Sequence, residues 1–461
     1  MLHTLSGPRP LPLLGNLLGL VRGGAPHRVL ERWADEYGPT FRIRLGPRPV
    51  VVTGDQQHVD FILRQRPQAF RRSRSTAEVF EELVPHSVFT AEGERWSRLR
   101  KVVTQSLRAS YLQQYFATIT TATERLLRGW HGFAASGAPI DVLDQMTRYT
   151  LDVVAELSLG HDLNSLEDRG DGLHRRLPML MSALTRRLLT PIPYWRYVKL
   201  PQDRRLDATV RELRAVVRTN FDRARARMNA GGEPSNFLEA LVIPLADEPS
   251  ITDDEVFGNV LTMLLAGEDT TSSSAAWALH FLAEYPEVHA RVRAEADEVL
   301  GDRRLPGDVA TVGRLSYAEA VVKEALRLKP VVPFLSFHPI RSVMLTGGDG
   351  RELHLDDDTE VMLLPSYGAR RDVERFPEPD EFRPQRWLEG RLPAEALPFA
   401  PFGGGPRFCP GRNLAMIEAA MVTSAVARTF DLAPDRSAGP VTEGLSFAMV
   451  PRGLHLIARD R

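Results

Sequence analysis

A single cysteine in 461 residues, Cys409, rules out an intramolecular disulfide and suits a reducing compartment. Long apolar runs are missing too. The longest near the start, Leu11 to Val21, is broken by Pro12, Gly15, Asn16 and Gly19, so it can neither span a bilayer nor form the core of a secretory signal. No charge dominates: 58 Lys and Arg against 59 Asp and Glu leave a net charge of −1, which offers no basic field for nucleic acid. A Walker loop, an HExxH pair and a G-x-S-x-G elbow are all absent, and the 12 histidines are scattered without metal-ligand spacing. What remains is an ordinary globular composition, 43% hydrophobic and 25% charged, able to bury a sizeable core and expected to be soluble and cytoplasmic.

The lone cysteine stands in a distinctive stretch, Pro401 to Met421, reading PFGGGPRFCPGRNLAMIEAAM. Gly403, Gly404 and Gly405 allow a tight turn, Pro406 and Pro410 stiffen the loop, and Gly411 permits an approach that a side chain would block. The apolar spacing of Leu414, Ile417 and Met421 predicts a helix whose N-terminal dipole favours a thiolate. Out of context a single Cys is most often a small buried hydrophobe. Here Phe402, Gly403, Gly405, Arg407, Cys409 and Gly411 follow the order F-G-x-G-x-R-x-C-x-G, which closely resembles the haem-ligand loop of the cytochrome P-450 superfamily. The resemblance implies haem b, with Cys409 as axial thiolate ligand, Arg407 on a propionate, and Phe402 and Gly411 against the cofactor.

A second motif lies in the longest predicted helix, which the capping box Thr252-Asp253-Asp254-Glu255 opens and Pro286 ends. Its apolar middle is interrupted by Ala266-Gly267-Glu268-Asp269-Thr270-Thr271, an insertion that lowers helix propensity and so points to function or to a packing notch. It is similar to the family's A-G-x-[D/E]-T-T oxygen-activation motif. By that resemblance a kinked long helix lies over the haem, Thr270 hydrogen-bonds bound oxygen or its water, Asp269 relays protons, and Ala266 faces the substrate.

The other carried-over roles rest on weaker patterns. Trp96 and Arg100 are four apart and share a helix face; alone they read as a solvated basic face, and beside the cysteine loop they resemble the propionate-binding helix. Glu324 and Arg327, framed by Val321, Val322, Ala325 and Leu326, resemble the family's E-x-x-R pair, with Arg386 as the third, structural member. His338 stands near where many members place a propionate-binding arginine. Phe80, Val88 and Phe89, within an irregular stretch from Arg71 to Glu94, and Val332, Phe334 and Leu335, within an extended one, are the remaining substrate-pocket candidates.

Along the chain, Gly7 to Asn16 is similar to the proline-rich segment that follows the membrane anchor of microsomal members; the residues before it do not read as an anchor, as expected either of a natively soluble member or of one trimmed of its anchor. Pro26 to Tyr37 predicts a helix stopped by Gly38, and Phe41 to Val52 a hairpin. Helices are predicted over Asp55 to Leu63, Asp141 to Leu159, Phe237 to Leu245 and Pro286 to Leu300. Another follows the box Ser316-Tyr317-Ala318-Glu319, and a final hairpin is predicted over Phe447 to Leu456. The apolar run between Arg175 and Leu200, including Met179, Leu180, Met181, Leu184, Leu188, Leu189, Ile192, Tyr194 and Trp195, reads as a helix hairpin or, by resemblance, as a substrate lid. The expectation is one mainly α domain with a small β region over residues 1–461, hydroxylating an apolar molecule, a fatty acid or terpenoid ahead of a steroid or polyketide. Electrons would come from a ferredoxin or flavodoxin and its reductase, docked near Arg98, Lys101 and Arg412. A peroxide-using or isomerising haem-thiolate enzyme would not need the Asp269–Thr270 pair, and a non-catalytic haem or apolar-ligand carrier would not explain it.

Overall fold

The computed structural model describes residues 5–22, 24–167, 177–190, 193–390, 400–445 and 447–461. The elements in chain order begin with α1 (Leu17–Arg22), α2 (Pro26–Tyr37), β1 (Thr40–Leu45), β2 (Arg48–Thr53), α3 (Gln56–Arg64), β3 (Phe70–Arg72), α4 (Arg74–Leu83) and α5 (Gly93–Ser106). Next come α6 (Ala109–Ser136), β4 (Ile140–Asp141), α7 (Val142–Leu159), α8 (Leu177–Leu189), α9 (Pro201–Asn229), α10 (Phe237–Ala246), α11 (Asp253–Glu284) and α12 (Pro286–Leu300). The chain continues through α13 (Val309–Val312), α14 (Ser316–Leu328), β5 (Leu335–Pro339), β6 (Val343–Thr346), β7 (Glu352–Leu355), β8 (Glu360–Leu363) and α15 (Pro365–Arg371). It closes with α16 (Arg412–Thr429), β9 (Phe430–Pro434), β10 (Thr442–Leu445), β11 (Met449–Arg452) and β12 (His455–Asp460). The architecture is mainly α with a small β region, as expected.

Local signals set most boundaries. Asp55 caps α3 by accepting from the Gln57 and His58 N–H groups, and Asp141 caps α7 through Asp144. Thr252 and Glu255 form the reciprocal box that opens α11.

The chain divides into two compact units. One comprises Met1–Ala77, Lys323–Cys409 and Glu443–Leu445. It is built on a five-stranded sheet of order β1-β2-β8-β5-β3, in which β2 and β8 run parallel and the other neighbours antiparallel. Strand alternation gives the sheet two faces. On one, Val51, Phe337, Val361 and Leu363 pack with Val59, Ile62 and Leu63 of α3. On the other, Phe41, Ile43, Val50, Val52 and Met362 pack with Val29, Leu30 and Ala34 of α2, and Phe334 joins them. The second unit, Glu78–Val322, Pro410–Thr442 and Ser446–Arg461, is helical, with the three-stranded sheet β4-β12-β9.

Two expectations are corrected. The stretch from Arg71 to Glu94 is not irregular throughout, because α4 lies inside it and buries Val79, Phe80 and Leu83 at helical spacing. Polar residues on the opposite face of α4 mask that period in the sequence. No hairpin forms over Phe447 to Leu456, because β11 pairs with β10 while β12 pairs with β9, just upstream, and with the distant β4. At the start of α14 the N–H groups of Tyr317 and Ala318 are held by the carboxylate of Glu295 on α12, at 2.6 and 3.0 Å. Of the predicted lid run, Ile192 and Arg175 lie outside the described residues. Leu180, Met181, Leu184 and Trp195 are buried, and Met179 and Leu188 are exposed.

Candidate functional site

In the sheet-bearing unit, the cysteine loop closes on itself: the Cys409 N–H donates to the Phe402 carbonyl at 2.8 Å. Phe402, Arg407 and Cys409 are all half-buried. Gly405 has φ +62°, and a Cβ there would lie 2.3 Å from the Leu63 carbonyl oxygen, so the loop can seat against α3 only with glycine at this position. The thiol stands three residues before α16. A half-buried thiol on a rigid glycine loop, flanked by an aromatic ring and a guanidinium, is the donor chemistry that haem iron takes as an axial ligand, so these residues fit the group.

The same unit holds the Glu324 network. Both oxygens of the fully buried Glu324 accept from Arg327, at 2.8 and 2.9 Å, and Oε1 also accepts from Arg386 Nε at 3.0 Å. Two further donors reach it, the Arg383 N–H at 3.0 Å and the Trp387 indole N–H at 2.8 Å. Spare guanidinium donors go to main-chain carbonyls: Arg327 to Pro379 and Glu381, and Arg386 to Pro377 and Glu378. The polar core is thus paired throughout and staples α14 to the 377–387 segment.

His338 lies on the sheet face opposite α3. In the register it faces Arg71 across β3, and Phe334 and Ser336 share its side of β5. Val332 is half-buried just before β5, and Leu335 packs on the α3 side.

In the helical unit, α11 is uninterrupted through the polar insertion. Thr270 Oγ1 donates to the Ala266 carbonyl at 2.6 Å, and Ser273 and Ser274 donate back to Asp269 and Thr270 at 2.7 and 2.6 Å, a pattern that bends rather than breaks a helix. Ala266 is exposed mid-helix, and Met263, Asp269 and Thr270 beside it are half-buried. Desolvation pushes the Asp269 carboxyl up to about 6.

Its neighbour Glu268 was only the unspecified motif position in the sequence, yet it is 1% exposed and its Oε2 has no hydrogen-bond partner. Burial, and then the charge of Asp269, push it up to about 8. A carboxyl whose folded pKa is raised binds protons that the unfolded chain has already released. Its contribution is therefore present below the unfolded value, about 4.5, and is lost as pH rises through about 8. Glu268→Gln should accordingly melt higher than the parent near pH 8 and converge with it near pH 5, a difference that paired thermal melts at the two pH values read directly.

The predicted pocket residues of this unit come together in part. The Phe80 and Phe89 rings lie 4.4 Å apart, and Phe447 is 5.7 Å from Phe80. Val88 instead packs on the buried Trp96, with Ala91 and Leu99. Arg100 is half-buried one turn beyond Trp96 on α5. The loop carrying Val88 is tied to α11, since Asn259 Oδ1 accepts from the Val88 N–H at 2.8 Å. At Gly258 a Cβ would sit 2.1 Å from the Pro85 carbonyl oxygen. These two positioning residues were missed; the available signal was a Gly-Asn pair inside an apolar helical run.

A family model described as Cytochrome P450 matches residues 5–458. The chain is 30% identical over 444 residues to a self-sufficient cytochrome P450 monooxygenase of Aspergillus terreus, an overlap covering 94% of this chain and 41% of that protein. It is 31% identical over 484 residues to the mitochondrial 25-hydroxyvitamin D-1 alpha hydroxylase of Homo sapiens, covering 100% and 93% of the two. With Cytochrome P450 4d2 of Drosophila melanogaster the identity is 25% over 453 residues, covering 93% and 89%. The chain therefore spans about two fifths of the length of the self-sufficient relatives.

Proposed function

This chain belongs to the cytochrome P450 family, and from that premise we propose that it is a monooxygenase that hydroxylates an apolar small molecule, using O2 and electrons from a separate redox protein. Haem b is the cofactor of the family. The observation that carries the reading is Cys409, the chain's one thiol, half-buried on a closed loop that tolerates only glycine against α3. In this reading Cys409 holds the haem iron, Arg407, Trp96 and Arg100 take the propionates, and Phe402 and Gly411 border the ring. His338, on the sheet face opposite α3, is proposed as a further propionate contact. When bound, the haem supplies redox chemistry with O2, and the thiolate's electron donation favours O–O cleavage.

The protein's own groups supply binding and protons. The Phe80, Phe89 and Phe447 rings offer an apolar surface for the substrate, and Val88, Ala266, Val332, Phe334 and Leu335 extend the proposed lining. Thr270 spends its hydroxyl proton on the Ala266 carbonyl, so its oxygen presents lone pairs and holds a donor in place. Asp269, with a pKa of about 6, exchanges protons near neutral pH, as a relay must. Thr271, the last residue of the motif, is buried.

A fatty acid or terpenoid is the proposed substrate class, with a ferredoxin or flavodoxin as donor. Of the three basic residues considered for docking it, Lys101 is already paired with Glu248 at 2.8 Å, which leaves Arg98 and Arg412. The test is the dithionite-reduced protein with carbon monoxide: a strongly red-shifted Soret band is expected, and a haem spectrum lacking it would exclude the thiolate. Thr270→Ala should still bind substrate but divert most of the reducing equivalents to peroxide. Measured product per NAD(P)H at the parent's value would remove Thr270 from the relay.

A further inference from the structure

The loop that joins α4 to α5 is held against the first turns of α11 at several points. At its start, the Pro85 carbonyl oxygen comes within 2.1 Å of where a Cβ would stand on Gly258, an approach that any side chain there would forbid. His86 follows with φ +62°, a left-handed turn that Glu81 steadies by accepting the His86 N–H at 3.0 Å. The Ser87 carbonyl then accepts from the Thr90 and Ala91 N–H groups at 3.1 and 2.9 Å, which closes a turn with Val88 and Phe89 at its tip. Asn259 secures that tip. Its Oδ1 accepts from the Val88 N–H at 2.8 Å, while its Nδ2 donates to the Glu255 carbonyl at 2.8 Å. One end of the amide can only accept and the other only donate, so the two bonds fix the side chain in a single orientation. Glu255 is itself paired with Arg95 of α5 at 2.8 Å, so the loop and α11 share one frame.

This clamp decides where two adjacent side chains go. Val88 packs with Trp96, Ala91 and Leu99, whereas Phe89 lays its ring 4.4 Å from that of Phe80, and Phe447 adds a third ring 5.7 Å from Phe80. Along α11, Asn259 shares a face with Met263, Ala266 and Thr270, at spacings of four, three and four residues. The loop covers this stripe at Asn259, which is 4% exposed, and the stripe opens at Ala266, about 10 Å further along at ~1.5 Å per residue. A molecule lying along the open stripe therefore meets the loop and its aromatic tip.

We propose that Asn259 is a specificity-determining positioning residue: by fixing the Val88 N–H it keeps Phe89 on Phe80, so that the pocket admits slender, flexible apolar molecules and excludes rigid fused-ring ones. This rests on the reading of Phe80, Phe89 and Phe447 as substrate surface, and it narrows the substrate class to acyclic chains. A flexible chain rotates its single bonds to pass beside the packed rings. A fused ring system fits only if Phe89 leaves Phe80, which pulls the turn off Asn259 and leaves a buried amide oxygen without its donor.

The experiment titrates ferric holoprotein with farnesol, an acyclic chain, and with progesterone, a rigid fused-ring molecule, following the Soret spin-state shift and, independently, the heat of binding. The parent should bind farnesol at least about tenfold more tightly than progesterone, a step of about 1.4 kcal/mol. Asn259→Leu keeps the volume and removes the acceptor, so it should reduce that preference to about twofold or less, chiefly by tightening progesterone. A merely structural role would weaken both molecules alike. Asn259→Asp keeps an oxygen for the Val88 N–H and should hold the parent's preference. Gly258→Ala displaces the same loop from the Pro85 side and should repeat the leucine result, which keeps the test decisive if Asn259→Leu fails to fold. In a Phe89→Ala background Asn259→Leu should have no further effect, because residues that act through one another are not additive. A parent without preference, equal weakening of both molecules in the variants, or a full Asn259→Leu effect without the Phe89 ring would each overturn the proposal. A missing red-shifted carbonyl band in the parent would sink the monooxygenase reading instead, and the heats of binding would still decide the clamp.

Discussion

Cys409→Ser should abolish the red-shifted carbonyl band and reduce turnover to background while leaving the protein folded. Serine is nearly isosteric with cysteine, and the loop's shape depends on other groups: the Cys409 N–H bond to Phe402 and the seat of Gly405 on Leu63 both survive the change. What is lost is a soft, easily ionised donor; the replacement hydroxyl stays protonated at neutral pH and donates little electron density to iron. Far-ultraviolet circular dichroism and thermal melts close to the parent's, together with the altered carbonyl spectrum, would establish that the effect is electronic. Unchanged turnover by the variant would remove Cys409 from the site, and with it the observation on which the proposed function stands.

Glu324→Ala should give little or no stable holoprotein. Its carboxylate receives five hydrogen bonds, from Arg327 twice, Arg386, Arg383 and Trp387. Truncation leaves two guanidinium groups, 0% and 5% exposed, without their counter-charge. Breaking a buried pair in this one-sided way costs about 3–5 kcal/mol, against a total stability on the order of 5–15 kcal/mol for a folded protein. The damage should propagate to the 377–387 segment, which α14 holds through Glu324 itself and through Arg327 on Pro379 and Glu381. Glu324→Gln keeps the shape and some acceptor capacity, so its melting temperature should fall between those of the parent and the alanine variant. The measurements are soluble yield, haem content per chain and melting temperature. An alanine variant recovered at normal yield with full haem would show that the network is dispensable.

Local order was largely legible from residues close in sequence. Caps at Asp55, Asp141 and Thr252, the stops at Gly38 and Pro286, and the period-two run of β1 and β2 depend on contacts within about four residues. The cysteine loop was legible for the same reason, since its turns and its Phe402–Cys409 bond are internal to one short segment. So were the polar residues inside α11, which stand out against an apolar helix.

Partners far apart in the chain were not. Nothing near Ser316 announces that α12 will cap α14 through Glu295, and nothing near Phe447 says that β12 will pair with β9 and β4. Trp387 reads as one aromatic residue among several until its indole is seen on Glu324. Glu268 looks solvated until its helix face is buried, with Thr150 of α7 bonded to its carbonyl at 3.1 Å. By itself the sequence determined many of the local elements, the turns of the thiol loop and the polar insertion in α11, because backbone hydrogen bonding and turn geometry are short-range. Only the tertiary structure decided which charges are buried, which buried polar groups find partners, and that Asn259 meets the Val88 loop, because strand register and desolvation are set by neighbours far away in the chain.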